Sequence, residues 1–306
     1  MKTSQEFDVV SDDGVRLHAE RWPAVGTDRP LVLGLHGITA NRLGFLELID
    51  ELAGEVDFVA FDARGRGRSD KPADRAAYGH RRHAEDAAVI LRNLGRPAAV
   101  VVGQSMGAWD GLQLAAHRPH LVGALVLADG GYFADLPAGV TPDDYVASVM
   151  GAGWQERLTA VLPSREVLLD AFKALRPFAV SWNDGLERML LEGVEDVPEG
   201  GVRARCARVA AEVDAVDYFT PFGERPYVRR DLALVRCPVH LVRAERGFDL
   251  SPETSGPLLP EAAVEAFRAE LPQLSVETVP GTNHYSVNFG RPGVVVLADA
   301  VRKALS

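Results

Sequence analysis

Four short runs, LVLGLHG from Leu31, DFVAFDARG from Asp57, AAVVVGQS from Ala98 and LVGALVLAD from Leu121, are apolar at consecutive positions and not at every second one. A strand built this way must be covered on both faces. The intervening segments, such as LGFLELIDELAG and HAEDAAVILRNLG, place their apolar residues at helical spacing. Strands and helices that alternate in this order predict an α/β fold with a largely parallel sheet and right-handed crossovers. The preceding FDVVSDDGVRLHAERW alternates polar and apolar residues around an Asp-Gly turn, so it reads as an antiparallel hairpin leading into that sheet.

After Asp129 the rhythm changes. From Gly130 to Val235 no convincing β-run occurs, and helical stretches such as REVLLDAFKAL and DGLERMLLEG are joined by Pro and Gly. The strand pattern resumes with CPVHLVRA and LSVETVPG, and VVVLADAVRKAL forms a closing helix. This arrangement predicts a core made of residues 1–130 and 236–306, interrupted by a helical cap at 131–235. The cap carries aromatics from Tyr132 and Phe133 through Trp154, Phe172, Phe178 and Trp182 to Tyr218, Phe219, Phe222 and Tyr227, in a chain with only 7% aromatics. Most are expected to form the cap's own core, and some to line an apolar pocket.

The composition narrows the chemistry. A net charge of −10 disfavours a nucleic-acid partner. Two distant cysteines, Cys206 and Cys237, suggest neither a disulfide framework nor a zinc cage, and the expected location is cytoplasmic. The N-terminus has no apolar signal region, and no unbroken apolar stretch is long enough to span a bilayer.

The chemical signal is Gly-Gln-Ser-Met-Gly, residues 103–107, between the apolar strand and a helix expected from Met106 to His117. A serine at a strand-turn-helix junction, with glycines two residues away on each side, has the form of a nucleophile elbow: a sharp turn that raises Ser105 above the sheet edge. A serine hydroxyl needs a base. Among eight histidines, His284 in PGTNHYSV directly follows the last β-run, at the carboxyl end of a strand where open α/β sheets place their sites. His36 is expected to shape the turn after Leu35, whereas His18, His80, His83, His117, His120 and His240 read as surface or strand positions. The arginines of DARGRGRSD read as solvated or sheet-rim residues. That segment is also a poor dinucleotide fingerprint, because Asp70 stands where a third glycine belongs.

Four motifs in order, LHGI, FDARGRGRSDKP, GQSMG and GTNH, make the chain resemble the α/β-hydrolase superfamily over its whole length apart from the variable cap. The resemblance implies a mostly parallel eight-stranded sheet flanked by helices, an oxyanion hole from the backbone N–H groups of Ile38 and Met106, and a lid over the site. It implies a Ser105 and His284 pair completed by an acid, with neither metal nor organic cofactor. The commonest acid position, in VRAERGFDLSPE, carries Arg246 and departs from the pattern. Asp129, at the end of LVLAD, resembles the acid of members that place it after the sixth strand. Asp129 is the preferred acid, with Asp249 and then Glu245 as alternatives. The function expected is hydrolysis of a medium-sized, largely apolar ester or lactone by a protein without nucleic-acid or membrane partners, its oligomeric state left open. Serine in place of aspartate at the elbow disfavours dehalogenase and epoxide-hydrolase chemistry. C–C bond hydrolysis of a vinylogous diketone, or ligand binding on a hydrolase scaffold, are the other readings.

Overall fold

The computed structural model describes residues 3–26, 29–96, 98–132, 136, 139–151, 153–220, 226–248 and 256–306. The strands are β1 (Gln5–Val10), β2 (Arg16–Trp22), β3 (Leu31–Leu35), β4 (Asp57–Phe61), β5 (Ala99–Gln104), β6 (Val122–Ala128), β7 (Val161–Leu162), β8 (Val194–Asp196), β9 (Val202–Ala204), β10 (Val239–Ala244) and β11 (Leu274–Val279). Eight of them form one sheet in the order β1-β2-β4-β3-β5-β6-β10-β11. The hairpin β1/β2 and the β2/β4 pair are antiparallel, and every pairing from β4 to β11 is parallel. The eight-stranded, mostly parallel sheet expected from the sequence is therefore present.

The doubly apolar runs are explained by what covers them. Leu31, Leu33, Leu35, Val101, Leu125 and Leu127 pack on one face with helices His80–Leu94, Met106–His117 and Glu261–Glu270. Val32, Val100, Val102, Val126 and Val242 point the other way, toward helices Leu46–Glu51 and Arg291–Leu305. The period-2 geometry of a strand sends neighbouring side chains to opposite cores.

Two glycines set the closeness of the central crossover. A Cβ at Gly103 would lie 2.2 Å from the Gly107 carbonyl oxygen, and one at Gly107 would lie 1.9 Å from the Leu35 carbonyl oxygen. Both contacts are with backbone, so neither can be relieved by a rotamer change. Gly107→Ala is expected to destabilise the chain by about 3 kcal/mol or more, read as a shifted urea midpoint. Gly111→Ala on the same helix is the control, since its Cβ would meet Leu125 Cδ2 at an ordinary 3.4 Å.

Between β6 and β10 lies an insertion that is not purely helical. Its described helices, Pro142–Met150, Trp154–Arg157, Arg165–Lys173, Arg176–Ala179, Asp184–Glu192, Arg208–Phe219 and Pro226–Leu232, are accompanied by an antiparallel sheet in the order β7-β9-β8. This corrects the all-helical expectation. Strands of two and three residues are too short to show a period. Packing accounts for many of the insertion's aromatics: Trp154 sits in a core with Val146 and Ala211, while Phe172, Phe178 and Trp182 pack against the core beneath β3 and β5. Phe133 and Phe222, and the side chains of Phe219 and Tyr227, lie outside the described residues.

Candidate functional site

Strand β3 has β4 on one side and β5 on the other, so the chain leaves the carboxyl ends of β3 and β5 in opposite directions. Open α/β sheets bind ligands at such a switch point. Ile38 follows β3 and Ser105 follows β5. A Cβ on Gly37 would lie 3.5 Å from Ser105 Cβ, so the two loops are in contact.

Ser105 has φ 53° and ψ −115°, and its side chain does not cap the helix that begins at Met106. It is half-buried between buried Gln104 and Met106. Among the described residues, Ala53, Ser105 and Asp129 are the non-glycine residues with positive φ. Such conformations typically cost about 1–3 kcal/mol and cluster at functional positions. Here two of the three touch each other's segment. Ser105 N–H donates to the Ala128 carbonyl at 3.0 Å, and a Cβ on Gly130 would lie 2.5 Å from the Ser105 carbonyl oxygen.

Asp129 reaches the histidine loop. His284 Nδ1 is 2.8 Å from Asp129 Oδ2, and the other carboxylate oxygen accepts the Ala244 N–H at 3.0 Å. Both side chains are buried. With a carboxylate at Nδ1, that nitrogen carries the hydrogen, and Nε2 keeps its lone pair free to act as a base. The histidine loop is pinned by His284 N–H on the Gly247 carbonyl and by Asn283 Nδ2 on the Pro177 carbonyl of the insertion. Phe248 lies against the imidazole, ring centroids 4.4 Å apart, with Tyr285 on an adjoining side. Burial pushes the Tyr285 phenol up to about 12. Of the alternative acids, Glu245 accepts a hydrogen bond from Gly281 N–H, and Asp249 lies outside the described residues.

The loop after β3 is held by His36, as expected for a turn-shaping residue. Its Nδ1 donates to the Gly37 carbonyl at 2.7 Å, and its Nε2 accepts Ala63 N–H at 2.9 Å. Burial lowers its pKa to about 4, which keeps the ring neutral with the hydrogen on Nδ1. The Gly37 carbonyl belongs to the same peptide unit as Ile38 N–H, so the bond from His36 polarises that unit and strengthens Ile38 as a donor. Met106 N–H lies in the first turn of its helix and has no intrahelical carbonyl to bond.

A family model of the alpha/beta hydrolase fold matches residues 30–290. The chain belongs to the α/β-hydrolase family. A curated relative, 2-(acetamidomethylene)succinate hydrolase of Mesorhizobium japonicum, is 29% identical over 273 residues, covering 88% of this chain and 86% of its own. The sn-1-specific diacylglycerol lipase ABHD11 of Mus musculus is 25% identical over 261 residues, 84% of this chain and 75% of its own. A crystal structure of E-2-(acetamidomethylene)succinate hydrolase has the same fold, with a TM-score of 0.77 at 24% identity over 98% of this chain and 99% of that one. No helix among the described residues of this α/β hydrolase is long and apolar enough to cross a membrane.

Behind the site lies a polar cluster that the sequence pattern did not reveal. Arg64, Arg66, His80 and His83 are buried, correcting their reading as solvated, rim or surface residues. Arg64 pairs with Asp86 and Asp13, Arg66 with Asp214, and His83 with Asp214. His80 meets Asp217 of the insertion. Arg66, His80 and His83 take their partners from helix Arg208–Phe219, more than a hundred residues away in the chain, whereas Arg64 is held by residues 22 and 51 positions away.

Asp110, one and a half turns into the helix behind Ser105, accepts the Tyr218 hydroxyl and faces His83, Arg66 and Asp214 as well. Burial raises its pKa to about 7, despite the lowering influence of His83 and the Tyr218 bond. A raised carboxyl pKa in the folded state leaves stability unaffected below the ordinary carboxylate range. Stability then falls as pH rises from about 4 to about 7 and stays reduced above that. Asp110→Asn removes this cost. The variant is expected to gain on the parent by about 1–4 kcal/mol near pH 8 and little near pH 4, measured by urea midpoints across that range.

Proposed function

We propose that this chain is a serine hydrolase that cleaves a carboxylic ester or lactone of a medium-sized, largely apolar small molecule through an acyl-enzyme on Ser105. The observation that carries the reading is the 2.8 Å bond from Asp129 to His284 Nδ1, built onto the strand end that abuts a strained, half-buried Ser105. In this reading His284 Nε2 takes the proton of Ser105 Oγ as the hydroxyl attacks the carbonyl carbon. Asp129 holds the imidazole in the tautomer that makes this transfer feasible. The N–H groups of Ile38 and Met106 receive the oxyanion, each such donor typically worth about 2.7–4 kcal/mol in the transition state. His284 then returns the proton to the leaving alcohol, activates water against the acyl-enzyme, and the acid departs.

Residues 131–235 act as a cap in this proposal. Asn183 Nδ2 donates to the Phe289 carbonyl, and Asn41 Nδ2 to the Met189 carbonyl, which supports a lid whose helix Asp184–Glu192 is tied to the segments that follow β3 and β11. The aromatic surroundings of His284 favour an apolar substrate group. The name of the Mesorhizobium relative brings in an acetamido group on a small dicarboxylate as another acyl compound to try.

The test is labelling with a fluorophosphonate, mapping of the modified peptide by mass spectrometry, and a turnover panel. The panel holds aryl esters, lactones, an N-acetyl enamide and a vinylogous diketone. Modification at Ser105 with ester or lactone turnover is the expected result. Consumption of the diketone alone would move the assignment to C–C bond hydrolysis. Ligand binding that survives Ser105→Ala, with no turnover by the parent, would move it to a receptor.

A further inference from the structure

Arg66 is fully buried, yet its guanidinium is shared among acceptors that belong to four parts of the chain. Nε donates to the Ile38 carbonyl at 2.9 Å, and Nη1 donates to the Arg64 carbonyl at 3.1 Å. Nη2 lies 3.9 Å from Met106 Sδ. Nη1 also meets Asp214 Oδ2 at 2.5 Å, and Asp214 comes from helix Arg208–Phe219 of the insertion. One cation therefore touches both residues proposed to supply the oxyanion N–H groups, and its counter-charge is supplied by a helix of the insertion.

The arrangement fixes Ile38 from both ends. His36 grips the carbonyl of the peptide unit that contains Ile38 N–H, and Arg66 grips the carbonyl of the next unit. With both carbonyls held, the dihedrals of Ile38 are set, and so is the direction of its N–H. A planar guanidinium suits this place because several donors must diverge from one enclosed point, which an ammonium group on a single stem does less well. Asp214 is in turn held by Gly79 N–H on Oδ1 at 2.8 Å and by His83 Nε2 on Oδ2 at 2.9 Å. Burying the Arg66 charge is tolerable only with such a partner, because an unpaired buried charge is strongly destabilising. The docking is close: a Cβ on Gly65 would lie 2.4 Å from Ala210 Cβ, and Ala207 N–H donates to the Gly65 carbonyl.

We infer that Arg66, clamped by Asp214 of the insertion, is a positioning residue that aims Ile38 N–H at the reacting oxygen, so that the oxyanion hole is complete only when helix Arg208–Phe219 is docked. This rests on the reading of Ser105, Ile38 and Met106 as an acyl-transfer centre. It assigns that helix a part in acyl transfer as well as in covering the substrate.

The experiment follows phosphonylation of Ser105 by an ethoxy fluorophosphonate, whose attack also develops an oxyanion, in the full chain. The variants are Arg66→Lys and the paired Arg66→Gln with Asp214→Asn, which removes both charges together and leaves neither orphaned. Their folding is followed by calorimetry. In folded variants the maximal labelling rate is expected to fall roughly 10- to 100-fold, with half-saturation by the probe within about threefold of the parent, short of or comparable to the loss of one oxyanion donor. The final extent of labelling stays at one per chain. A clasp that serves only folding would lower the labelled fraction and leave the rate of the folded fraction unchanged. That unchanged rate overturns the inference, as does failure of the charge-neutral pair to fold, since a structural clasp then accounts for the network. A parent protein that is not labelled at Ser105 would instead remove the acyl-transfer reading itself.

Discussion

Ser105→Ala is expected to abolish fluorophosphonate labelling and to lower turnover of the best ester or lactone by on the order of 10⁶-fold, with the fold intact. The size follows from the proposed role: if Ser105 is the nucleophile, without its hydroxyl there is no acyl-enzyme, and only the proposed oxyanion donors and binding remain. The intact fold follows from the geometry. The Ser105 side chain does not cap the helix, so its removal costs no helix-terminal bond. The backbone at φ 53° is equally strained for serine and alanine, and stability should stay within about 1 kcal/mol of the parent by urea midpoint. Loss of activity without loss of stability is the mark of a residue kept for chemistry. Residual turnover within about tenfold of the parent would mean that another nucleophile does the work, and would sink the proposal.

The elements that position the site were legible because their signals are local. Consecutive apolar residues require two-sided cover, and the glycines around Ser105 are demanded by carbonyl oxygens that a Cβ would strike. His284 was legible because one loop follows the last strand. What lay hidden depends on contacts between distant segments. His80 and His83 sit among polar neighbours on helix His80–Leu94, and nothing in their surroundings announces burial; helix Arg208–Phe219 supplies it, with Asp214 131 residues from His83. Arg66 belongs to a motif that sequence reading takes as a loop, and its importance appears only when its donors are traced to Ile38 and Asp214. The short strands β7, β8 and β9 escaped for a simpler reason, since two or three residues cannot express alternation.

The acid was the open choice, and geometry gives it a sharp prediction. Asp129 Oδ1 accepts Ala244 N–H, which orients the carboxylate so that Oδ2 faces His284 Nδ1. In Asp129→Asn the carboxamide must still satisfy Ala244 N–H with its oxygen, so its NH₂ group turns toward His284. An NH₂ there needs an acceptor, which moves the imidazole hydrogen to Nε2 and leaves no lone pair to receive the Ser105 proton. Turnover should drop by about 10⁴-fold while labelled protein, if driven to completion, remains at Ser105. Asp249→Asn and Glu245→Gln should stay within about threefold; Glu245 is already engaged by Gly281 N–H, on the histidine loop's approach and not on the imidazole. A double variant Asp129→Asn with Asp249→Asn should be no slower than Asp129→Asn alone. If Asp249→Asn is the variant that loses four orders of magnitude, the 2.8 Å bond at Asp129 is a strand-end clamp, and the acid must reach His284 from the loop after β10.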